Sequence, residues 1–174
     1  MATVASHLSL EEFHRLYDGE KPCREYWFGE AIPKPMPTSL HSAVQLVLSI
    51  LLLRRGWKAL GEVRLKIVRN AQPVPDIVAS RNKIEQPYPT SAVEICVEIL
   101  SPGDRLQETM QKAGHYLDWG VQVVWIIDPG TRTAWTVTPE HRDGIWIHPD
   151  GALAAGDGLE IPLSELFAGV DEMV

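Results

Sequence analysis

The sequence is short of cysteine, of basic charge and of long apolar runs. Its 174 residues include only two cysteines, Cys23 and Cys96, and these lack the spacing of paired metal ligands. Cys96 lies in an apolar stretch, so we expect a small core residue rather than a bridge or a ligand. Cysteine usage of this kind indicates the cytoplasm.

No apolar run reaches the roughly 18 residues that a membrane-spanning helix needs. The run AVQLVLSILLL, residues 43–53, is too short and is typical of a buried helix. The start, MATVASHLSLEEF, has neither a basic region nor a long apolar stretch, so we expect no secretory signal. The sequence therefore predicts a cytoplasmic protein without a membrane segment.

Basic residues are outnumbered, 16 against 23 acidic ones, which gives a net charge of −7. This disfavours broad binding of polyanions, since phosphate contacts dominate affinity for nucleic acids. A local basic surface remains open, because Arg64, Lys66 and Arg69 cluster. Enzymes that hold metal ions through carboxylates also carry acidic charge. The charge thus lowers the expectation of nucleic-acid binding and does not exclude it.

The length and an apolar share of 45% predict one globular domain over residues 1–174. Ser9 and Glu12 form a capping-box pattern at the start of a short helix, and Thr38 or Ser39 can cap a long helix that ends near Gly56. Alternating apolar residues predict a half-exposed strand in GEVRLKIVRN. Further strands are expected from Asp76, over 92–100 and 121–128, in TAWTVT and in GIWIHP; helices are expected over 104–119 and in IPLSELF.

The unit strand 92–100, helix 104–119, strand 121–128 is a βαβ crossover, for which we expect parallel strands and a right-handed connection. Antiparallel strands flank it on both sides. The predicted fold is therefore α/β with an α+β-like mixed sheet and helices packed on it.

Three residues form the strongest candidate site: Asp76, Glu98 and Lys112. Asp76 follows a proline at the start of a strand, Glu98 lies inside the next strand, and Lys112 lies in the helix beyond it. If the two strands are neighbours, both carboxylates can converge on one point. Two hard oxygen ligands suit Mg²⁺ or Mn²⁺, and a lysine beside the ion can orient a water or neutralise charge on a phosphate. This is the minimum equipment for metal-assisted phosphodiester hydrolysis.

Each of these residues also has a structural interpretation. Asp76 follows a proline, and its whole role can be to cap a turn. Glu98 can be a buried glutamate in an ion pair with Lys112 or an arginine. Lys112 alone is typical of a solvated helix residue, and Glu94 is expected at the rim of the strand rather than in a site.

Several motifs occur together and in order: YWFGEAIPKPMPTSLHS, VPDIV, VEILSPGDR and KAGHYLDWGVQVVWIIDP. They resemble the Uma-two family of restriction-endonuclease-like proteins, in the PD-(D/E)xK nuclease superfamily, over roughly residues 11–167. The resemblance implies a restriction-endonuclease-like core, a mixed sheet flanked by helices. It also implies that Asp76 is the "PD" aspartate and Glu98 the central glutamate.

The resemblance also accounts for a departure from the superfamily pattern. The lysine of ExK would stand at Leu100, and Lys112 matches a lysine that family members carry on the following helix. Glu30 resembles the family's upstream acidic residue, a further catalytic candidate as a ligand of a metal or water. His41 matches a recurring histidine to which we assign no role.

The resulting hypothesis is a DNA endonuclease with Mg²⁺ or Mn²⁺ held by Asp76 and Glu98, and with Lys112 and Glu30 assisting. The alternative is a protein of the same fold without catalysis, which binds nucleic acid or another protein. Apolar strand edges and tryptophans also predict a homodimer.

Overall fold

The computed structural model describes residues 7–174, which form four helices and eleven strands. In chain order these are α1 (Leu10–Tyr17), β1 (Arg24–Trp27), β2 (Glu30–Pro33), α2 (Ser39–Arg54), β3 (Lys58–Gly61), β4 (Ala71–Gln72), β5 (Ile77–Ser80), β6 (Ile95–Ile99), α3 (Leu106–Asp118), β7 (Val123–Asp128), β8 (Thr133–Val137), β9 (Ile145–Ile147), β10 (Ala152–Ala155), β11 (Leu159–Pro162) and α4 (Leu163–Asp171).

Six strands form the central sheet in the order β3-β5-β6-β7-β8-β9. β6 and β7 are parallel and joined by α3, while the other neighbours are antiparallel. The predicted mixed sheet and the parallel βαβ unit are therefore confirmed.

Helices cover both faces of this sheet. Ile95, Val97 and Ile99 of β6 pack in one cluster with α2 and α4. Cys96 points to the other face and packs with Tyr116 and Leu117 of α3. Burial on both faces explains why β6 and β7 are almost continuously apolar, and it confirms Cys96 as a core residue.

A second, three-stranded sheet has the order β2-β1-β4. Its hairpin β1–β2 turns at Phe28 and Gly29, whose φ angles are 49° and 97°. Arg24 pairs with Pro33 at the open end of this hairpin. One residue of β1 and one residue just after β2, both near this end, contribute to the candidate active site.

The long helix matches its prediction, with Thr38 as the capping residue. The expected burial of this helix holds for its inner side, while Leu46 and Leu53 on its outer side are exposed. Within residues 7–174, no helix combines the length and the apolar character needed to cross a membrane.

The strand predicted in GEVRLKIVRN is wrong. Glu62 adopts a φ of 54°, and residues 62–67 leave the sheet after β3. The amides of Leu65 and Lys66 donate to the carbonyls of Pro73 and Pro89 instead. Proline has no N–H to return such a bond, so a regular ladder cannot form there despite the alternating pattern.

Candidate active site

Asp76 and Glu98 face each other across two neighbouring strands. β5 and β6 are antiparallel, and Ile77 pairs with Val97, which sets Asp76 opposite Glu98. The amide of Ile99 donates to Asp76 Oδ2 at 2.7 Å, and the two carboxylates are only 3% and 7% exposed. The condition on which the sequence-based site depended, adjacent strands, is therefore met.

Asp76 is held as a carboxylate by three donors. Besides the Ile99 amide, Lys34 Nζ lies 2.8 Å from Oδ1 and His41 Nε2 lies 3.2 Å from Oδ2. Burial by itself raises the pKa of Asp76, but the His41 hydrogen bond and the charge of Lys34 outweigh it and lower the pKa to about 2. The pKa of Lys34 is raised in turn. Burial acts to lower this pKa, but the negative charges of Asp76 and Glu98 outweigh the effect of burial.

Glu98 is bound on one oxygen by two residues of α3. Lys112 Nζ lies 2.9 Å from Oε1, and the Tyr116 hydroxyl donates to the same oxygen at 2.6 Å. Lysine and tyrosine four residues apart share one helix face, which is why both reach the strand. Burial raises the pKa of Glu98 even though Lys112 acts to lower it. Burial also raises the pKa of the Tyr116 hydroxyl well above its usual value, so it stays a donor.

Lys112 is itself bridged between two carboxylates, Glu98 and Glu25. Its Nζ is 2.9 Å from Glu25 Oε1 as well as from Glu98 Oε1. Burial acts to lower the pKa of Lys112, but the two negative charges raise it. The lysine is therefore charged at neutral pH and fixed in position. This juxtaposition of Lys112 with Glu98 was anticipated from the sequence as one possible ion pair.

Glu25 is the site residue that the sequence reasoning missed. It lies in β1, is buried, and accepts from the Val74 amide at 2.7 Å on Oε1 and from Trp27 Nε1 at 3.0 Å on Oε2. The signal was present, because Glu25 stands inside an aromatic strand just as Glu98 stands inside an apolar one, and buried glutamates need partners. Lys34 was missed as well, hidden in a proline-rich segment.

Glu30 and Glu94 lie apart from this cluster. Glu30 is exposed at the start of β2 and does not line the cavity around Asp76. Glu94 is half-buried and accepts hydrogen bonds from Ser80 Oγ and the Arg81 amide, which ties the end of β5 to β6. His41, which matched the family pattern without a role, is brought into the site as a partner of Asp76.

The cluster lines a cavity of about 440 Å³. Its floor is formed by the carboxylates and lysines, one wall by Ile32 and the prolines around Lys34, and another by α3. His41 Nδ1 is buried and, within the described part of the chain, has no hydrogen-bond partner.

The site offers free carboxylate oxygens to a divalent cation. Both contacts to Glu98 use Oε1, and Asp76 Oδ1 has Lys34 as its contact, so acceptor positions remain on Glu98 Oε2 and Asp76 Oδ1. Mg²⁺ takes one or two protein carboxylates and keeps several waters, a demand that Asp76 and Glu98 can meet. Over residues 7–174 there is no group of three or more His, Cys, Asp or Glu side chains arranged to hold a metal ion. The residues fit a magnesium-type ion with water ligands better than a fully protein-ligated one.

Comparisons with known proteins extend these observations. Residues 10–170 match the family model described as "Uma2: Putative restriction endonuclease". The chain is similar to the crystal structure of a putative nuclease belonging to DUF820 from Anabaena variabilis ATCC 29413, with a TM-score of 0.76 and 27% identity; the match covers 94% of this chain and 99% of that chain.

A weaker likeness is to the cryo-electron microscopy structure of a DrdV–DNA complex. It has a TM-score of 0.42 and 17% identity, and covers 75% of this chain and 11% of that chain. At that level it informs neither the fold nor the function. No curated protein matches the chain.

Proposed function

The chain belongs to the Uma2 family, and from this premise we propose that it is a metal-dependent DNA endonuclease that hydrolyses phosphodiester bonds. One observation carries the proposal: Asp76 and Glu98 stand opposite each other in one cavity, with the Lys112 ammonium 2.9 Å from Glu98. This arrangement agrees with membership of the PD-(D/E)xK superfamily, with the lysine supplied by α3 instead of position 100.

In this proposal Asp76 and Glu98 hold Mg²⁺ or Mn²⁺. When bound, such an ion supplies a Lewis acid that polarises the phosphate and activates a water. The other roles in the reaction belong to residues of the chain. Lys112 stays charged and positions the attacking water or neutralises charge on the phosphate. Tyr116 fixes Glu98 Oε1, and Glu25 fixes Lys112 from the opposite side.

Glu30 was predicted to assist catalysis, and this role stays a prediction. Its exposed position outside the cavity favours Glu25 as the upstream acidic residue of the site. Substitution of each glutamate by glutamine distinguishes the two roles.

A non-catalytic protein on the same fold is the second candidate. It is favoured by the completeness of the ion-pair network, since each of the three buried carboxylates, Glu25, Asp76 and Glu98, has a lysine Nζ within 2.9 Å. In that case the acidic cluster would be structural, and the cavity would bind nucleic acid or protein without cleaving it.

Cleavage of supercoiled plasmid in Mg²⁺ or Mn²⁺ distinguishes these candidates. We expect wild type and an exposed matched control, Glu160→Gln, to nick the plasmid, and Asp76→Asn and Glu98→Gln to be inactive. Equal activity in all four proteins would mean a contaminating nuclease and contradict the assignment.

Manganese calorimetry tests the metal site separately from activity. We expect binding by wild type and by Glu160→Gln, and loss of binding in Asp76→Asn and Glu98→Gln. If wild type binds no manganese, or if neither carboxylate substitution weakens binding, the metal site is refuted.

We further propose that the protein forms a homodimer through an edge of the central sheet. The edge strands β3 and β9 carry the exposed apolar residues Leu60, Ile145 and Trp146. Exposed apolar edge strands are sites of association. Sedimentation velocity should show a dimer for wild type and a shift toward monomer for Trp146→Ser or Leu60→Ser; a wild-type monomer at all concentrations contradicts it.

A further inference from the structure

The tip of the β1–β2 hairpin holds an aromatic residue in an unusual conformation. Phe28 has a φ of 49° and is 43% exposed, and Gly29 follows at 97°. Two-residue hairpin turns with both φ angles positive strongly favour Asn-Gly or Asp-Gly, and a bulky side chain there is uncommon. The turn would therefore form more readily with asparagine at this position. Its own geometry gives no reason for an exposed phenylalanine.

The Phe28 ring does not itself line the cavity but belongs to a row of aromatic rings that reaches it. Its centroid is 5.0 Å from that of His115, which lies 5.9 Å from Trp119 in a stacked arrangement. Trp119 is stacked on Trp27 at 5.6 Å. His115 and Trp27 both line the cavity, and His115 is only half-buried. One end of the row is therefore open to solvent, and the row borders the candidate active site.

The cavity thus has a charged floor and an aromatic side, and its lining also includes exposed acidic side chains: Glu62, Asp104 and Glu108. Trp27 is a common neighbour of both parts: Lys112 Nζ lies 5.9 Å from its ring centroid, and the Phe28 ring lies 6.0 Å from it. Ile32 lines the cavity and is 43% exposed, and nearby Met36 is 81% exposed. The floor holds two lysines among three buried carboxylates, so it takes an anionic group only together with the cation of the proposed function, while the rings take a flat apolar group. A nucleotide has both.

We propose that Phe28 and His115 form a stacking site for a nucleobase of the substrate strand, next to the phosphate held at the cavity floor. The proposal rests on the proposed nuclease function and narrows its substrate. In duplex DNA each base is stacked between neighbours and paired, so its faces are not available to protein rings. The preferred substrate is therefore DNA with an unpaired base, either a single strand or a site where one base leaves the helix. Stacking also supplies affinity that is independent of the chain's negative charge.

Binding by a cleavage-disabled protein tests this inference. The Asp76→Asn protein is titrated into labelled 12-residue oligonucleotides, and fluorescence anisotropy gives the dissociation constants. We expect the single strand to bind at least tenfold more tightly than the matching duplex and than a single strand with abasic sites, in line with the loss on the order of tenfold or more per base that removal of a stacking ring causes. Equal affinity for the three ligands, or no binding of the single strand, overturns the proposal.

The decisive variant is Phe28→Asn in the same background. It removes the ring and places a favoured residue in the turn, so the fold is retained. We expect single-strand affinity to fall about tenfold, with Phe28→Trp close to the parent. Tyr88→Asn is the matched control, because Tyr88 is an exposed aromatic outside this cavity that contacts Lys66. A Phe28→Asn protein that keeps the parent's affinity shows that the ring only packs the hairpin on α3. Since the assay measures binding alone, its result is separate from whether the wild type cuts DNA.

Discussion

The Asp76 carboxylate provides a test of the site that needs no substrate. Its pKa is lowered from 3.8 to about 2 by His41 and Lys34 against the effect of burial. A shift of one pKa unit corresponds to about 1.4 kcal/mol, so the charged form of Asp76 contributes roughly 2 kcal/mol to folding at neutral pH. Because the folded pKa is the lower one, this contribution is present above pH 4 and is lost as pH falls toward 2.

The assay is urea unfolding in EDTA at a series of pH values for wild type and Asp76→Asn. At pH 7 the variant should be less stable by about 2 kcal/mol, which thermal unfolding would show as a midpoint temperature lower by roughly 4–8 °C for a chain of this size. The difference between the two proteins should shrink as pH falls from 4 to 2, because the wild-type carboxylate becomes protonated. Other carboxylates titrate in both proteins and cancel in the difference. Parallel stability curves down to pH 2 would refute the ion-pair account of Asp76.

Three further predictions concern the lysines and glutamates of the cavity. Lys112→Met should lower the free energy of unfolding by about 3 kcal/mol at pH 7, measured by urea titration, because it leaves Glu25 and Glu98 buried without their cation; the loss should be smaller at pH 5, and an equal loss at both values would contradict this. Glu25→Gln should reduce plasmid nicking about tenfold or more by releasing Lys112, while Glu30→Gln should retain activity; the reverse order would restore Glu30 as the upstream acidic residue. Lys34→Gln should tighten manganese binding roughly tenfold in calorimetry, because it removes a positive charge beside a ligand; unchanged or weaker binding would show that Lys34 does not compete with the cation.

The part of the central sheet from β5 to β9 could be predicted because its signals are local, whereas the edge strand β3 was missed. The apolar runs of β6 and β7, the period of α3 and the parallel crossover all follow from spacing within about forty residues. The neighbouring positions of Asp76 and Glu98 followed once β5 and β6 were adjacent. These features depend on burial patterns that the sequence displays directly.

The missing parts depend on contacts over long separations. Glu25 and Lys112 are 87 residues apart in the chain, and no periodicity links them. Lys34 stands among prolines, where a lysine is ordinarily solvated, and only the folded hairpin brings it to Asp76. The strand expected around Leu65 failed for a different reason, since the acceptors of its amides belong to prolines, which cannot complete a ladder.

The small β2-β1-β4 sheet affects how the charged cluster of the cavity can come apart. Glu25 belongs to β1 and Lys34 directly follows β2, whereas Asp76, Glu98 and Lys112 belong to the large sheet and its helix. The charged cluster therefore joins two units with separate backbone ladders. Local opening of the hairpin would separate the cluster while the six-stranded sheet stays folded. Amide hydrogen exchange should then report two free energies of opening, and the lower one would set the fraction of molecules with an assembled cavity.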